Sequence, residues 1–150
     1  MYRREVAMQP QSGVRIGTVS DLPSLMRIDE IAQSSEDRRA QLEQALANGQ
    51  CFLAVENGEV IGFITLSYTF FGCGFIPLLM VAANHRRRGT ALRLLDATRE
   101  HCRTEKLFSS ANQSNFAAAR LFAKAGYVES GRIDNLDPGD PEIVFFFAGR

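Results

Sequence analysis

The sequence predicts one α/β or α+β domain, a β-sheet with helices packed against it. Strand-type apolar runs are interspersed with helical segments in the order strand, two helices, three strands, helix, strand, helix, two strands. The composition, 45% hydrophobic and 23% charged, is that of an ordinary globular chain. At 150 residues the chain is long enough to bury one core unaided.

Residues 1–13 are polar and lack the apolar centre of a secretory signal, so they read as a flexible tail ahead of a domain spanning 14–150. Val14 and Ile16 alternate with Arg15 and Gly17, the pattern of a half-buried strand over 14–19. Ser20 follows as a helix N-cap, with Pro23 early in the helix and Leu22, Leu25, Met26 and Ile28 behind it. Asp29-Glu30 falls near the end of this helix, where acidic side chains oppose the macrodipole. A second helix over 36–47 sets Leu42, Ala45 and Leu46 on one side and stops at Asn48-Gly49. Residues 51–55 read as a strand, Glu56-Asn57-Gly58-Glu59 as a hairpin turn, and 60–68 as the partner strand.

A third apolar strand covers 75–82, and a helix over 88–103 follows, with Ala91, Leu92, Leu95, Thr98 and Cys102 as its inner stripe. Next come a short strand over 106–110 and a helix over 115–124, capped by Ser114 and closed by Ala125-Gly126. A strand over 127–133, a turn from Asp137 to Pro141 and a final strand over 142–147 complete the chain. That last strand is apolar enough either to complete the core or to meet a partner chain, as in a homodimer.

Seventeen basic and seventeen acidic residues cancel, which gives the whole molecule no bias toward nucleic acid or anionic membrane. The uncharged stretch over 60–84 is long enough to cross a bilayer, but Gly62, Gly72, Gly74 and Pro77 break it, and two buried strands explain it better. Cys51, Cys73 and Cys102 make no metal pattern, CxxC motif or disulfide framework; they read as free thiols of a cytoplasmic protein. His85 and His101 are too isolated for a metal site, so none is expected.

The strongest chemical signal is an apolar strand, Leu79-Met80-Val81, then a short basic turn through Arg86-Arg87-Arg88, and a helix opening near Gly89. The first turn of a helix leaves N–H groups unpaired, and the macrodipole adds positive charge there. Gly89 and Ala91 lack bulk, so a phosphate can approach the backbone, while the three arginines attract it from a distance. The bland rival is a solvated charge run ahead of a helix. No Gly-Lys-Ser/Thr ending and no three-glycine fingerprint is present, so neither a Walker loop nor a dinucleotide site fits.

This stretch resembles the signature of the GCN5-related N-acetyltransferase (GNAT) superfamily, Arg/Gln-x-x-Gly-x-Gly/Ala, with Arg86, Gly89 and Ala91 in register. Leu79 and Val81 match the Leu-x-Val that precedes it. Asn115 to Ala118 matches a second block, Asn-x-x-Ala, and Leu121 to Tyr127 matches the Leu-Tyr-x-Lys-x-Gly-Phe that follows. The resemblance implies an acyl-CoA N-acyltransferase fold, a single mixed and mostly antiparallel sheet flanked by helices, with acetyl-CoA as co-substrate. It implies that Leu79, Met80 and Val81 lend backbone groups to the pantetheine arm. Main-chain N–H groups of Arg86, Arg87, Arg88, Gly89, Thr90, Ala91 and Leu92 wrap the pyrophosphate. Asn115, beside the arm, is equally suited to capping its helix.

The implied reaction is direct attack of a primary amine, on a small molecule or a peptide, on the acetyl thioester. A backbone N–H of the Leu79–Val81 strand would stabilise the oxyanion. The usual base positions are Phe75 and Pro77 here, and the tyrosine that commonly protonates the thiolate, at the edge of the cofactor site, is Phe122. None of these can exchange a proton. Positioning supplies ~7–11 kcal/mol against the ~10²–10⁴-fold of acid–base help, so turnover does not require them. Replacement groups must come from the acceptor cleft, which in this fold is lined by the first-helix region and the last strand pair. Glu30, Asp137 and Glu142 are candidates, with Tyr68 as a hydrogen-bond donor. The acidic run Asp134, Asp137, Asp140, Glu142 would suit a cationic amine. A non-catalytic acyl-CoA-binding module is the alternative, and RNA binding through the arginines is disfavoured by zero net charge and the lack of interleaved aromatics.

Overall fold

In a computed structural model that describes residues 11–149, the expected elements are present and several boundaries move for identifiable reasons. Of the expected tail, residues 1–10 lie outside the described residues. Gln11 and Ser12 already accept hydrogen bonds from Gly58 and Asn57, and Gly13 opens the first strand, β1 (Gly13–Ile16).

β1 is shorter than expected because Asp21 gathers the chain after it. Its carboxylate accepts from Thr18 N–H at 2.9 Å and from both Arg15 guanidinium nitrogens at 2.8 and 2.9 Å. A short 3-10 turn over Val19–Asp21 leads into α1 (Leu22–Ile28), so Ser20 sits inside the turn rather than capping the helix. Asp29 then overturns the macrodipole expectation. The chain is extended there, α2 (Glu30–Ser34) starts at once, and Asp29 caps it by accepting from Ile31 N–H at 3.2 Å. Its carboxylate is 1% exposed and is also held by Arg38 at 2.9 Å from α3 (Glu36–Ala47).

β2 (Cys51–Glu56) and β3 (Glu59–Thr65) form the expected hairpin about Asn57-Gly58, both left-handed. The two long strands expected next each break in two. β3 gives way to β4 (Ser67–Phe70), and after the turn at Phe71-Gly72 the chain forms β5 (Cys73–Ile76) and β6 (Leu79–Val81). Pro77 has no N–H to continue a ladder, which is why the second break falls where it does. α4 (Thr90–His101), β7 (Leu107–Asn112), α5 (Phe116–Lys124), β8 (Tyr127–Ile133) and β9 (Glu142–Phe147) complete the fold. Asn115, not Ser114, caps α5.

The mixed, mostly antiparallel sheet flanked by helices is there, but its hydrogen bonding divides into two ladders. One runs β1-β2-β3-β6 and the other β4-β5-β7-β9-β8. β5 runs parallel to β7 as far as Ile76↔Ser109. Beyond that point β6 pairs only with β3, so β6 and β7 part and leave a notch between them. At the fork, the buried Ser109 hydroxyl donates to Ile76 O at 2.9 Å.

Two clusters fill the space on either side. Under α4 and α5 lie Phe52, Ile61, Ile64, Ile76, Leu107 and Phe145, met by Leu94, Leu95 and Phe122 from the helices. Of the expected inner stripe of α4, Leu95 and Thr98 are buried, while Leu94, not expected there, is buried with them and Ala91 and Leu92 are only half-buried. Under α1 to α3 lie Leu53, Val55 and Phe63, met by Leu25, Leu42 and Leu46. Gly62 matters to this packing: a Cβ there would stand 2.9 Å from Met80 O and 3.4 Å from Leu94 Cδ1. The three cysteines are free, and burial, followed by the Asp21 charge, pushes the Cys51 thiol up to about 12.

The Tyr127 hydroxyl is buried without a hydrogen-bond partner among the described residues. Tyr127→Phe should therefore leave stability unchanged or raise it by up to about 1 kcal/mol in urea titration; a clear loss would reveal a partner. The Arg15 hydrogen bond, ahead of other causes, holds the Asp21 carboxyl below its usual range. A lowered folded-state pKa adds stability that is complete above the unfolded value, about 4, and is lost as pH falls through the folded value. Asp21→Asn should flatten the acid limb of the stability–pH curve, and an unchanged slope is the contrary result.

Candidate functional site

The break at Pro77 decides what the notch offers. Leu78 O accepts from Thr65 N–H at 2.9 Å, Met80 pairs with Phe63, and Ala82 N–H donates to Ile61 O at 2.8 Å. Leu78, Met80 and Ala82 thus face β3, and by alternation Leu79 and Val81 turn their peptide groups to the open edge. Val81 O is engaged by Arg86 Nε at 3.2 Å. No strand among the described residues pairs with that edge. An extended arm carrying amide groups fits it as a missing strand would.

Directly above the notch, a 3-10 turn over Ala83–His85 leads into the basic segment. Arg87 (φ 64°) and Gly89 (φ 79°) both adopt left-handed backbone, which curls successive N–H groups toward a common concavity. Gly89 is the N-cap of α4 and has no side chain to occupy the first-turn N–H groups. α2, α3 and α5 by contrast are capped by Asp29, Ser35 and Asn115. No acidic residue lies in the first turn of α4, and the space around Gly89 is open. A diphosphate fits this end of the helix by charge and by shape.

The arginines are exposed but differ in what they touch. Arg86 folds back on Val81, Arg88 lies 3.7 Å from Glu56, and Arg93 braces the turn through Thr90 Oγ1 (3.3 Å) and Arg88 O (3.5 Å). Glu56, whose other oxygen is 4.0 Å from His85 Nε2, was not foreseen as part of this cluster. Only the β2–β3 hairpin brings it there. Ser109 was also missed, since Ser109-Ser110 in a short strand carries no spacing signal.

Other expected site residues are scattered. Asn115 accepts from Ala118 N–H at 3.1 Å, the capping role. Phe122 is only 4% exposed, stacked on Phe145 at 4.8 Å, so it is a core ring rather than an open cofactor contact. Tyr68 is not brought to the cleft. Its hydroxyl accepts from Arg103 N–H, just past the far end of α4, and its ring lies 4.4 Å beneath that guanidinium. Glu30 is exposed at the start of α2. Asp137 accepts from Asn112 Nδ2 at 2.8 Å, and Asp140 accepts from Ser114 N–H and Oγ at 3.0 and 2.6 Å. These two carboxylates clamp the β8–β9 connection onto the turn between β7 and α5. Glu142, half-buried opposite Asn112, has no side-chain partner among the described residues.

Two surface depressions lie elsewhere, one between α1 and α3 and one beside Tyr68 and His101; neither touches β6 or the basic turn. Among the described residues no cluster of His, Cys, Asp or Glu is set to hold a metal, and no helix is long and apolar enough to cross a membrane.

Comparison with known proteins agrees with this geometry. The family model described as Acetyltransferase (GNAT) family matches residues 20–127. A GNAT-family acetyltransferase structure from Bacillus cereus is 36% identical, with TM-score 0.84 over 91% of this chain and 96% of that one. More distant likenesses show the fold. A ribosomal-protein-alanine N-acetyltransferase from Brucella melitensis has 22% identity and TM-score 0.70, over 89% and 97% of the two chains. A diaminobutyrate acetyltransferase from Paenibacillus lautus, solved with its substrate L-2,4-diaminobutyric acid and coenzyme A, has 18% identity and TM-score 0.71 over 93% and 98%. A search of curated proteins returned no significant match.

A ligand held at about 100 times its Kd stabilises a fold by about 2.7 kcal/mol, so acetyl-CoA should raise the melting temperature by several degrees. Gly89→Glu sets a carboxylate where an anion is to bind and should abolish that shift. Gly89→Ala carries the same left-handed strain without the charge and should keep most of it. Equal protection in all three proteins would mean the anion sits elsewhere.

Proposed function

As the chain belongs to the GNAT acetyltransferase family, and is thus an acyl-CoA-dependent acetyltransferase, we propose that it acetylates a primary amine by direct attack, on a small molecule or a peptide. The observation that carries this reading is the open edge of β6 set directly beneath the uncapped start of α4. Bound acetyl-CoA supplies an acetyl group activated as a thioester. The outward peptide groups of Leu79 and the N–H of Val81 hold the arm, flanked by Met80, which stays paired to β3, while Val81 O stays with Arg86. One of those N–H groups donates to the carbonyl oxygen where negative charge develops. Amides from Arg86 to Leu92 hold the pyrophosphate, and Arg87 and Arg88 add long-range attraction.

Glu142 is the carboxylate best suited to take the ammonium proton, because nothing else engages it and it lies one strand beyond the β7 side of the notch. Glu30 is a second candidate. Asp137 is spent on Asn112, and Tyr68 is given no role. No side chain stands ready to protonate the thiolate, since Phe122 is a core ring. A thiol of pKa ~8.5 leaves tolerably without that help. We place the protein in the cytoplasm, a compartment that suits its free cysteines.

A binding module that never turns over is the second reading, favoured by Phe75, Pro77 and Phe122 at positions where proton-transfer groups are usual. Release of free thiol from acetyl-CoA in the presence of an amine panel separates the two. Amine-dependent release above background is expected, and Glu142→Gln should lower it about 10²-fold or more if that carboxylate is the base. Acetyl-CoA binding without release for any amine would favour the module.

A further inference from the structure

We propose that the acceptor amine carries an apolar, aromatic-sized body that lies across the bare face of the five-stranded ladder, with its ammonium at Glu142. This rests on the transferase reading and names its substrate class. The face follows from register. Ile76, Leu107, Phe145 and Tyr127 are buried toward α4 and α5. Side chains alternate along a strand, so Phe75, Phe108, Phe146 and Val128, direct cross-strand partners of one another, form a row on the opposite face. The ring of Phe70 from β4 joins them, its centroid 4.9 Å from that of Phe75 and 5.2 Å from that of Phe108, which in turn lies 5.2 Å from that of Phe146.

No helix among the described residues covers this row, whose phenyl rings are half-buried and whose Val128 is exposed. The cluster beneath α1 to α3 contains residues of the four-stranded ladder and none of the five-stranded one. The row also runs toward the proposed reaction site: Phe75 and Phe108 are the last β5–β7 pair on this face, one step before Ile76 and Ser109 at the fork. On the other side of the sheet, α4, α5 and their core fill the approach.

Charge narrows the occupant. Glu142 shares the face with Phe146, two alternations along β9, and is the one carboxylate there without a partner among the described residues. The neighbouring acids that suggested a cationic acceptor, Asp137 and Asp140, are consumed by Asn112 and Ser114. The site therefore offers one ammonium anchor and a floor of phenyl rings. A second cation on the acceptor would meet those rings with no counter-charge, whereas an aromatic or long aliphatic body would cover them.

The full-length protein with acetyl-CoA, offered 2-phenylethylamine, ethanolamine and putrescine, tests this. The phenyl compound should have the highest kcat/KM, by at least about tenfold, the discrimination an apolar pocket gives per missing methylene or more. Calorimetry with the protein–CoA complex should rank the three amines in the same order, independently of turnover. Phe146→Thr, which suits a strand, should bring the ratio of phenylethylamine to ethanolamine toward one while acetyl-CoA still protects the fold against heat. Equal or better use of putrescine or ethanolamine would overturn this inference and leave the transferase reading standing. No turnover with any amine, with CoA bound, would overturn both. A stable dimer that Phe146→Thr dissociates would show that a second copy covers the face and would overturn the inference alone.

Discussion

The rest of the structure depends on one unpaired strand edge held inside a folded domain. Backbone N–H and C=O groups left without partners are costly, and most proteins cover, charge or shorten such edges. Here the edge is created because Pro77 cannot continue the parallel ladder that β5 shares with β7. It is kept from zipping shut because β6 is committed to β3. The Ser109 hydroxyl, donating to Ile76 O, satisfies the last carbonyl at the point where the strands diverge. On the proposed reading a ligand arm would supply the missing hydrogen bonds, and the deficit in the free protein would become binding energy in the complex.

The second constraint is that α4 begins at a glycine. A side-chain cap would have satisfied its first-turn amides, as Asp29, Ser35 and Asn115 do for other helices. Gly89, left-handed and without a side chain, instead leaves them uncapped. Arg93 and Glu56, neither conspicuous in the sequence, steady this turn from two sides. The turn and the open edge lie in sequence within a dozen residues of one another, so one short segment presents both.

Much of this was legible in the residues. The strand, basic turn and helix over 79–101 could be read because their signals are local: an apolar strand, basic turn and small residues in fixed register. Helices 36–47 and 127–133's strand neighbour at 142–147 were bounded correctly because caps and turns mark their ends. The splitting of 60–68 and 75–82 was not legible, since an uninterrupted apolar run looks alike whether it serves one ladder or two. Asp29 was misread for a related reason. Two acids at a helix end look unfavourable until the next helix is seen to begin there, with Arg38 arriving from farther along the chain. The acidic run from Asp134 to Glu142 suggested a cation site. The fold uses two of those carboxylates for internal hydrogen bonds, a pairing with Asn112 and Ser114 that only tertiary structure creates.

That clamp has a mechanical consequence. Asn112 ends β7, Ser114 precedes the cap of α5, and both are tied to the connection that leads into Glu142. The β8–β9 connection and the entry to α5 are thus tied at three points, so neither can shift without breaking hydrogen bonds to the other.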